Sequence, residues 1–142
     1  MESQVLSVEQ CKELLALGID MSNASALWTA VVDDDYEPKY WMPILRADCT
    51  PIEILKEKFP LTYKEGNVYY TFTLQDILDM LPKYIDGTNQ LRILCYTGAY
   101  NVINFGYWTG SRMGWLHFSQ DMNSTINSAF NLLKWCKINN YI

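Results

Sequence analysis

The sequence is poor in the residues that build most metal and nucleophilic sites. It has one histidine, His117, and four cysteines that are scattered along the chain without a CxxC pair. A structural zinc site gathers four ligands in space, so here it would need to be nearly all cysteine, drawn from four separate elements. We therefore interpret the cysteines as reduced, buried thiols that act as small hydrophobes. The glycine-rich patterns GxxxxGK(S/T) and GxGxxG are also missing, which excludes the common phosphate-binding loops. The sequence therefore predicts no metal and no cofactor.

Long apolar segments are missing as well. No window approaches the roughly 18 consecutive apolar residues that a membrane-spanning helix requires. The first residues lack the basic region of a secretory signal, and the apolar stretch that follows is interrupted by Glu9, Lys12 and Glu13. We therefore expect a cytoplasmic protein that does not partner a membrane.

What the sequence does contain is a large apolar fraction. Of its 142 residues, 49% are hydrophobic and 14% aromatic, which excludes intrinsic disorder and favours a single globular domain over residues 1–142. Charge is uneven, since residues 1–87 carry 7 basic and 15 acidic side chains and residues 88–142 carry 4 and 1. This asymmetry can mark a basic binding face on an acidic protein. The cations of the second segment are nevertheless too sparse for a groove that follows a phosphate backbone.

Four helices are predicted from capping signals and apolar spacing. Ser7, Thr50 and Thr73 each stand three residues before a side chain that can reach back to the cap, which is the arrangement of a capping box. A further apolar stripe marks a C-terminal helix. The predicted helices are Val8 up to Gly18, Pro51 to about Lys58, Leu74 to about Leu81, and Ile126 to Cys136, the last followed by Asn139 and Asn140 as left-handed caps.

Runs of β-branched and aromatic residues predict the strands. They lie at 26–32, 68–71, 91–97, 101–108 and 115–119, and the last three form an antiparallel meander. We predict an α+β fold with one mainly antiparallel sheet of four or five strands and three or four helices, most of them packed on one face. An arrangement with helices on both faces is the alternative.

The aromatic residues of the meander are the main candidates for a binding site. Alternation places Phe105 and Tyr107 on one face of the sheet and Trp108 on the other, with room at Gly106 for something to approach. Aromatic side chains on a sheet stack on the bases of single-stranded nucleic acid, and the run 105–107 faintly resembles the centre of an RNP1 pattern. No lysine or arginine precedes that run, however, and the opposing interpretation is that these rings belong to the core.

Two further tryptophans complete the candidate set. Trp115 follows in the next strand, and Trp41 lies in an aromatic cluster after the acidic run 33–37. That run does not match an EF-hand, because Pro38 and Ile44 occupy the positions that need glycine and glutamate, and we expect a solvated loop between two strands. An exposed cluster around Trp41 would be typical of a protein-contact patch. The candidate binding residues are Phe105, Tyr107, Trp108, Trp41 and Trp115.

Catalysis would have to involve His117. As the sole imidazole it would serve as general base for a nucleophile such as Cys95 or Ser119, with a third group to orient its ring. The sequence does not specify that third group, and a lone histidine on a strand is more often structural. No catalytic residue is therefore predicted.

Three segments form a recognisable combination: LSVEQ to LGID at 6–20, FTLQDILDMLPK at 72–83, and AFNLLKWC to YI at 129–142. Together they resemble a group of small uncharacterised proteins from gut bacteria of the Bacteroides type and from their phages or prophages. The central segment is the most specific part of the resemblance. The resemblance implies a fold and a genomic context, and it carries no activity, cofactor or catalytic residue.

Three functions follow as hypotheses. The leading one is a non-enzymatic accessory or interaction protein of the phage or mobile-element type, with another protein as its partner. The second is a module that binds nucleic acid or a small ligand on an aromatic sheet face. The third is an enzyme that uses His117. The sequence does not predict the oligomeric state.

Overall fold

The computed structural model describes residues 4–95, 103–110, 114–121 and 123–142. The chain forms two compact units, Met1–Thr73 and Leu74–Ile142. The described residues include both helices and strands, and the predicted α+β class is confirmed. The helices are α1 (Val8–Ala16), α2 (Ile52–Lys58), α3 (Leu74–Met80) and α4 (Thr125–Ile138); the strands are β1 (Ala26–Val32), β2 (Pro38–Leu45), β3 (Val68–Thr71), β4 (Tyr84–Ile85), β5 (Asn89–Cys95), β6 (Ile103–Trp108) and β7 (Trp115–Ser119).

The strands form two antiparallel sheets, and the prediction of one sheet of four or five strands is wrong. The first unit holds three strands in the order β2-β1-β3, and the second holds four in the order β4-β5-β6-β7. Pro38 and Pro43 hide β2 from sequence-based prediction, although an edge strand tolerates proline because one of its sides needs no backbone donor. Once β2 is present, β1 is paired on both sides within the first unit. That the chain is a single domain stays a prediction.

The first unit is organised around the entry to α1. The predicted capping box is confirmed, since Ser7 Oγ accepts from the backbone N–H of Gln10 and Gln10 Oε1 accepts from the N–H of Ser7. Just before it, the buried carbonyl of Leu6 accepts hydrogen bonds from Trp28 Nε1 at 2.7 Å and from Thr71 Oγ1 at 2.8 Å. The start of α1 is therefore tied to both β1 and β3.

The end of α1 follows the predicted glycine stop. Gly18 has a φ of 79°, and the N–H groups of Gly18 and Ile19 donate to the carbonyls of Leu15 and Leu14. This pair of bonds is the Schellman arrangement, in which a residue without Cβ takes the left-handed conformation at low cost. Ile19 folds back and is buried, so the chain turns sharply towards β1.

The start of α2 differs from the prediction. Pro51 caps the helix without a side-chain hydrogen bond, and the first helical residue is Ile52, so the capping box expected at Thr50 is absent. Proline at the boundary supplies a favourable φ, and its carbonyl accepts from the N–H groups of Ile54 and Leu55. The predicted end at Lys58 is confirmed.

In the second unit, α4 packs on the sheet through its first two turns as well as its apolar stripe. Ser128 Oγ donates to the carbonyl of Ser119 at 2.7 Å and accepts from the N–H of Phe105 at 3.3 Å. Thr125 Oγ1 accepts from the next outward N–H of β6, that of Ile103, at 3.2 Å. Two hydroxyls thus satisfy the edge of β6 where β7 has ended. Of the two predicted C-terminal caps, Asn140 is left-handed, with a φ of 61°.

None of the helices in the described ranges has the length and apolarity to cross a membrane.

The Ser128 hydroxyl provides a test of this packing. Ser128→Ala leaves a buried carbonyl and a buried N–H without their shared partner, so we expect the free energy of unfolding to fall by about 1–3 kcal/mol. Asn131→Ala, on the exposed face of the same helix, is the control and should change it by less than about 0.5 kcal/mol. Urea denaturation followed by far-UV circular dichroism measures both, and equal effects would contradict the proposed role of Ser128.

Candidate functional site

Phe105 and Tyr107 lie in the interior of the second unit. Both are buried, and the Tyr107 ring lies 6.1 Å from the Trp135 ring of α4. The Tyr107 hydroxyl donates to the carbonyl of Pro82 at 2.8 Å and accepts from Cys136 Sγ at 3.7 Å. Burial raises the pKa of the Tyr107 hydroxyl well above its ordinary value and that of the Cys136 thiol to about 11. These two rings serve packing and leave no free face for a stacked ligand.

Trp108 and Trp115 meet on the other face of the same sheet. With Phe118 they form the Trp108 cluster, in which the Trp108 and Trp115 ring centroids are 5.2 Å apart and those of Trp115 and Phe118 are 5.3 Å apart. A Cβ on Gly106 would come within 2.9 Å of Trp115 Cε3, so the space predicted at this glycine is filled by Trp115. The three rings are half-buried. Arg92 pairs with Gly106 across the sheet, and its side chain is exposed.

His117 is on the face covered by α4. Its ring stacks on that of Trp135 with centroids 4.3 Å apart and planes 7° apart. Burial lowers the pKa of His117. Of the two predicted nucleophiles, Ser119 is buried near the same helix, whereas the side chain of Cys95 lies outside the described residues. The ring stacked on the imidazole is therefore an indole.

Trp41 belongs to the first unit. Its ring lies 5.6 Å from that of Tyr69, and it is half-buried, whereas its neighbours Tyr40 and Met42 are exposed. The acidic run before it is a solvated loop between two strands, as predicted. Asp33 Oδ1 accepts from the N–H groups of Asp35 and Glu37, and these two bonds close the turn. Within the described part of the chain, no three His, Cys, Asp or Glu side chains gather in a way that could hold a metal ion.

The first unit contains a concavity that the sequence does not single out. We call it the β3 cavity; it has a volume of about 510 Å³ and adjoins a second concavity of about 540 Å³ that shares Lys56, Glu65 and Val68 with it. Its lining combines the end of α1, the turn that follows, one residue of α2, and β3 with the residues before it. The lining residues are Leu15, Ile19, Asp20, Met21, Ser22, Lys56, Glu65, Gly66, Val68, Tyr69 and Tyr70.

The backbone of β3 presents its outer edge to this cavity. The N–H of Ala30 donates to the carbonyl of Asn67, which fixes the residues of β3 that face β1 as Asn67, Tyr69 and Thr71. Since backbone groups alternate along a strand, those of Val68 and Tyr70 point away from β1. β3 ends the order β2-β1-β3, so no strand in the described ranges pairs with that side at these two residues.

Different side chains lie against the tyrosine rings on the two faces of β3. On the face of Tyr69, α1 contributes Lys12, whose Nζ is 5.8 Å from the Tyr69 ring centroid. On the face of Tyr70, the guanidinium of Arg46 lies 5.0 Å from the ring centroid, and burial, followed by the charge of Glu53, raises the pKa of the Tyr70 hydroxyl. The helical residues that line the cavity itself are Leu15 of α1 and Lys56 of α2.

Two carboxylates and one ammonium group border the cavity. Asp20 Oδ1 accepts from the N–H of Ser22 at 2.9 Å, and this bond lowers the pKa of Asp20. Glu65 and Lys56 supply the other two charges. The neighbouring Lys64 is paired with Glu37 at 2.6 Å. The rim thus carries one more negative charge than positive.

The comparisons with known proteins give no relative from which a function could be transferred. Neither the family models, nor the curated proteins, nor the solved structures contain a significant match to this chain.

The stacking of His117 predicts a pH dependence. Because the native pKa is below the ordinary 6.5, the unfolded chain binds the proton more readily. The contribution of neutral His117 to stability is therefore complete above pH 6.5 and is lost as the pH falls through 6.5 and then through the native pKa. Titration by NMR should give a native pKa below 6.5, and His117→Gln should reduce the loss of stability over this range. A native pKa at or above 6.5 would contradict this.

Proposed function

We propose that this chain is a non-enzymatic interaction protein that binds a segment of another protein in the β3 cavity. The observation that carries the proposal is the position of the cavity on an unpaired sheet edge. Open edges present rows of backbone donors and acceptors, and apolar side chains beside them add area for a partner. The three segments that resemble phage-associated proteins favour an accessory role of the mobile-element type.

The apolar lining supports a polypeptide partner. Leu15 is 48% exposed although it lies on α1 beside buried Leu14, and the half-buried residues Tyr69 and Tyr70 also line the cavity. A partner that covers Leu15 removes apolar area from water, which is worth roughly 25 cal/mol per Å². Aromatic residues with polar tips are enriched in protein interfaces because one end is apolar and the other can bond.

Leu15 gives a direct test of this site. Peptides selected from a random displayed library on the full chain should lose at least about tenfold in affinity for Leu15→Gln, because the buried leucine contribution of about 1.5–3 kcal/mol is removed. Leu61→Gln is the matched control, since Leu61 is 57% exposed and does not line the cavity. Fluorescence polarisation with labelled peptides measures both.

Two outcomes would contradict the proposal. One is a repeated selection that yields no specific peptide. The other is a set of peptides that bind the wild type, Leu15→Gln and Leu61→Gln with equal affinity, since such peptides bind elsewhere on the chain.

A second candidate function rests on the Trp108 cluster. Trp108, Trp115 and Phe118 are half-buried on the sheet face opposite α4, and the exposed Arg92 lies one strand away. Single-stranded nucleic acids and small planar ligands bind to such combinations of ring and cation.

This second function predicts quenching of tryptophan fluorescence by a short deoxythymidine strand at low salt. The quenching should disappear in Trp108→Leu, because stacking on one base contributes about 1–3 kcal/mol. Trp41→Leu is the control, since Trp41 belongs to the first unit, and it should leave the quenching in place. Fluorescence that the strand does not change would rule out this version of the function.

A further inference from the structure

We infer that the partner segment binds the β3 cavity as an added β-strand, and that it is an extended peptide with positively charged side chains. This inference rests on the proposed function and specifies its binding mode and the chemistry of its ligand. Four observations support it. They are the backbone groups of β3 that point away from β1, the N-terminal segment already bound along the same edge, the proline on the opposite edge, and the charges that border the cavity.

The backbone groups of β3 that point away from β1 are available for hydrogen bonds to an added strand. Val68 and Tyr70 each turn one N–H and one C=O away from β1, on the side lined by the cavity. Tyr69, between them, directs its backbone groups to Trp28 of β1. An added strand would therefore engage alternate residues of β3 and leave the ladder to β1 intact.

The chain itself already places an extended segment on the neighbouring part of this edge. The N–H of Leu6 donates to the carbonyl of Phe72 at 3.0 Å, and Val5 forms an antiparallel bridge with Thr73. The segment then turns into α1 at Ser7, before it reaches Tyr70. The part of the edge at Val68 and Tyr70 is therefore directly adjacent to a part that already binds an extended segment.

The opposite edge of the sheet is protected by proline. Because the even-numbered residues of β1 face β3, its odd-numbered residues face β2, and their partners Met42 and Ile44 are the inward residues of that strand. Pro43 therefore stands at an outward position, where its missing N–H removes a donor for an approaching strand. β3 carries no proline, so it is the edge left open to pairing.

The occupant is a peptide and not a second copy of the chain. A second copy would bring the same excess of negative charge, from Asp20 and Glu65 against Lys56, to this edge. Two identical edges would therefore repel each other, whereas a cationic extended segment is attracted.

The charge at the site favours a cationic segment. Asp20 and Glu65 border the cavity against the single cation Lys56. Residues 1–73 carry 6 basic and 12 acidic side chains, so the field of the first unit also attracts positive charge. Lysine or arginine at the positions of the peptide that reach the rim would pair with these carboxylates.

Amide hydrogen exchange provides the test. The probe is a synthetic, acetylated and amidated copy of the tightest peptide selected on the full chain, added at saturation and followed by NMR. We expect exchange of the Val68 and Tyr70 amides to slow by more than tenfold, with little change at Tyr69, whose N–H is already bonded to β1. Glu65→Gln should lower the affinity for the peptide and make that affinity less dependent on salt concentration. Glu57→Gln, which does not line the cavity, should change neither.

Three outcomes would overturn the inference. Peptides that depend on Leu15 but leave the Val68 and Tyr70 exchange rates unchanged would show binding without strand addition, and the proposed function would still stand. Protection that rises with protein concentration without peptide would assign the edge to a second copy. Selected peptides with no excess of lysine and arginine, and with equal affinity for Glu65→Gln, would refute the charge assignment. A selection that yields no peptide counts instead against the proposed function.

Discussion

The buried carbonyl of Leu6 is the interaction on which the first unit depends. It accepts from an indole on β1 and from a hydroxyl on β3, two groups that would each be costly to bury without a partner. The same bonds decide where the N-terminal segment leaves the sheet, because the capping box at Ser7 starts α1 immediately afterwards. The outward side of β3 at Val68 and Tyr70 is left without a strand partner because the N-terminal segment leaves the sheet where this acceptor is satisfied.

In the second unit, side-chain hydroxyls accept from backbone N–H groups at the edge of a strand. β7 ends at Ser119, opposite Phe105, and Ser128 and Thr125 of α4 accept from the outward N–H groups of Phe105 and Ile103. The same hydrogen bonds therefore position α4 and satisfy the backbone groups at the edge of β6. The Tyr107 hydroxyl has a comparable role at the other end of the strand, where it donates to Pro82. The aromatic content of this unit is largely committed to packing around these polar contacts.

Local signals in the sequence predicted the helices well, and nonlocal pairing limited the rest. The capping box at Ser7, the glycine stop at Gly18 and the apolar stripe of α4 depend on residues a few positions apart, and they match the structure. β2 was hidden because proline opposes a central strand but not an edge strand, and a linear pattern does not reveal which strand is at the edge.

The candidate sites were likewise predictable where they depend on local patterns and not where they depend on contacts between distant segments. Strand alternation separates Phe105 and Tyr107 from Trp108, and the structure agrees. Which of the two faces receives α4 was not predictable, because it depends on contacts between segments about twenty residues apart. The β3 cavity could not be predicted at all. It exists only when the end of α1, the Asp20 to Ser22 turn and the Lys56 region meet at one edge, and its local traces were a weak strand signal and a glycine at Gly66 with a φ of 90°.

An open edge is ordinarily a liability, since any exposed strand can pair with it. In this chain β3 has four residues, and the outward backbone groups that line the cavity are those of Val68 and Tyr70. So short an edge gives a long, flat strand few hydrogen bonds, whereas a short extended segment can use all of them. The shortness that limits aggregation at β3 would therefore also favour a short, flexible peptide. The carboxylates at the rim would add a preference for positive charge.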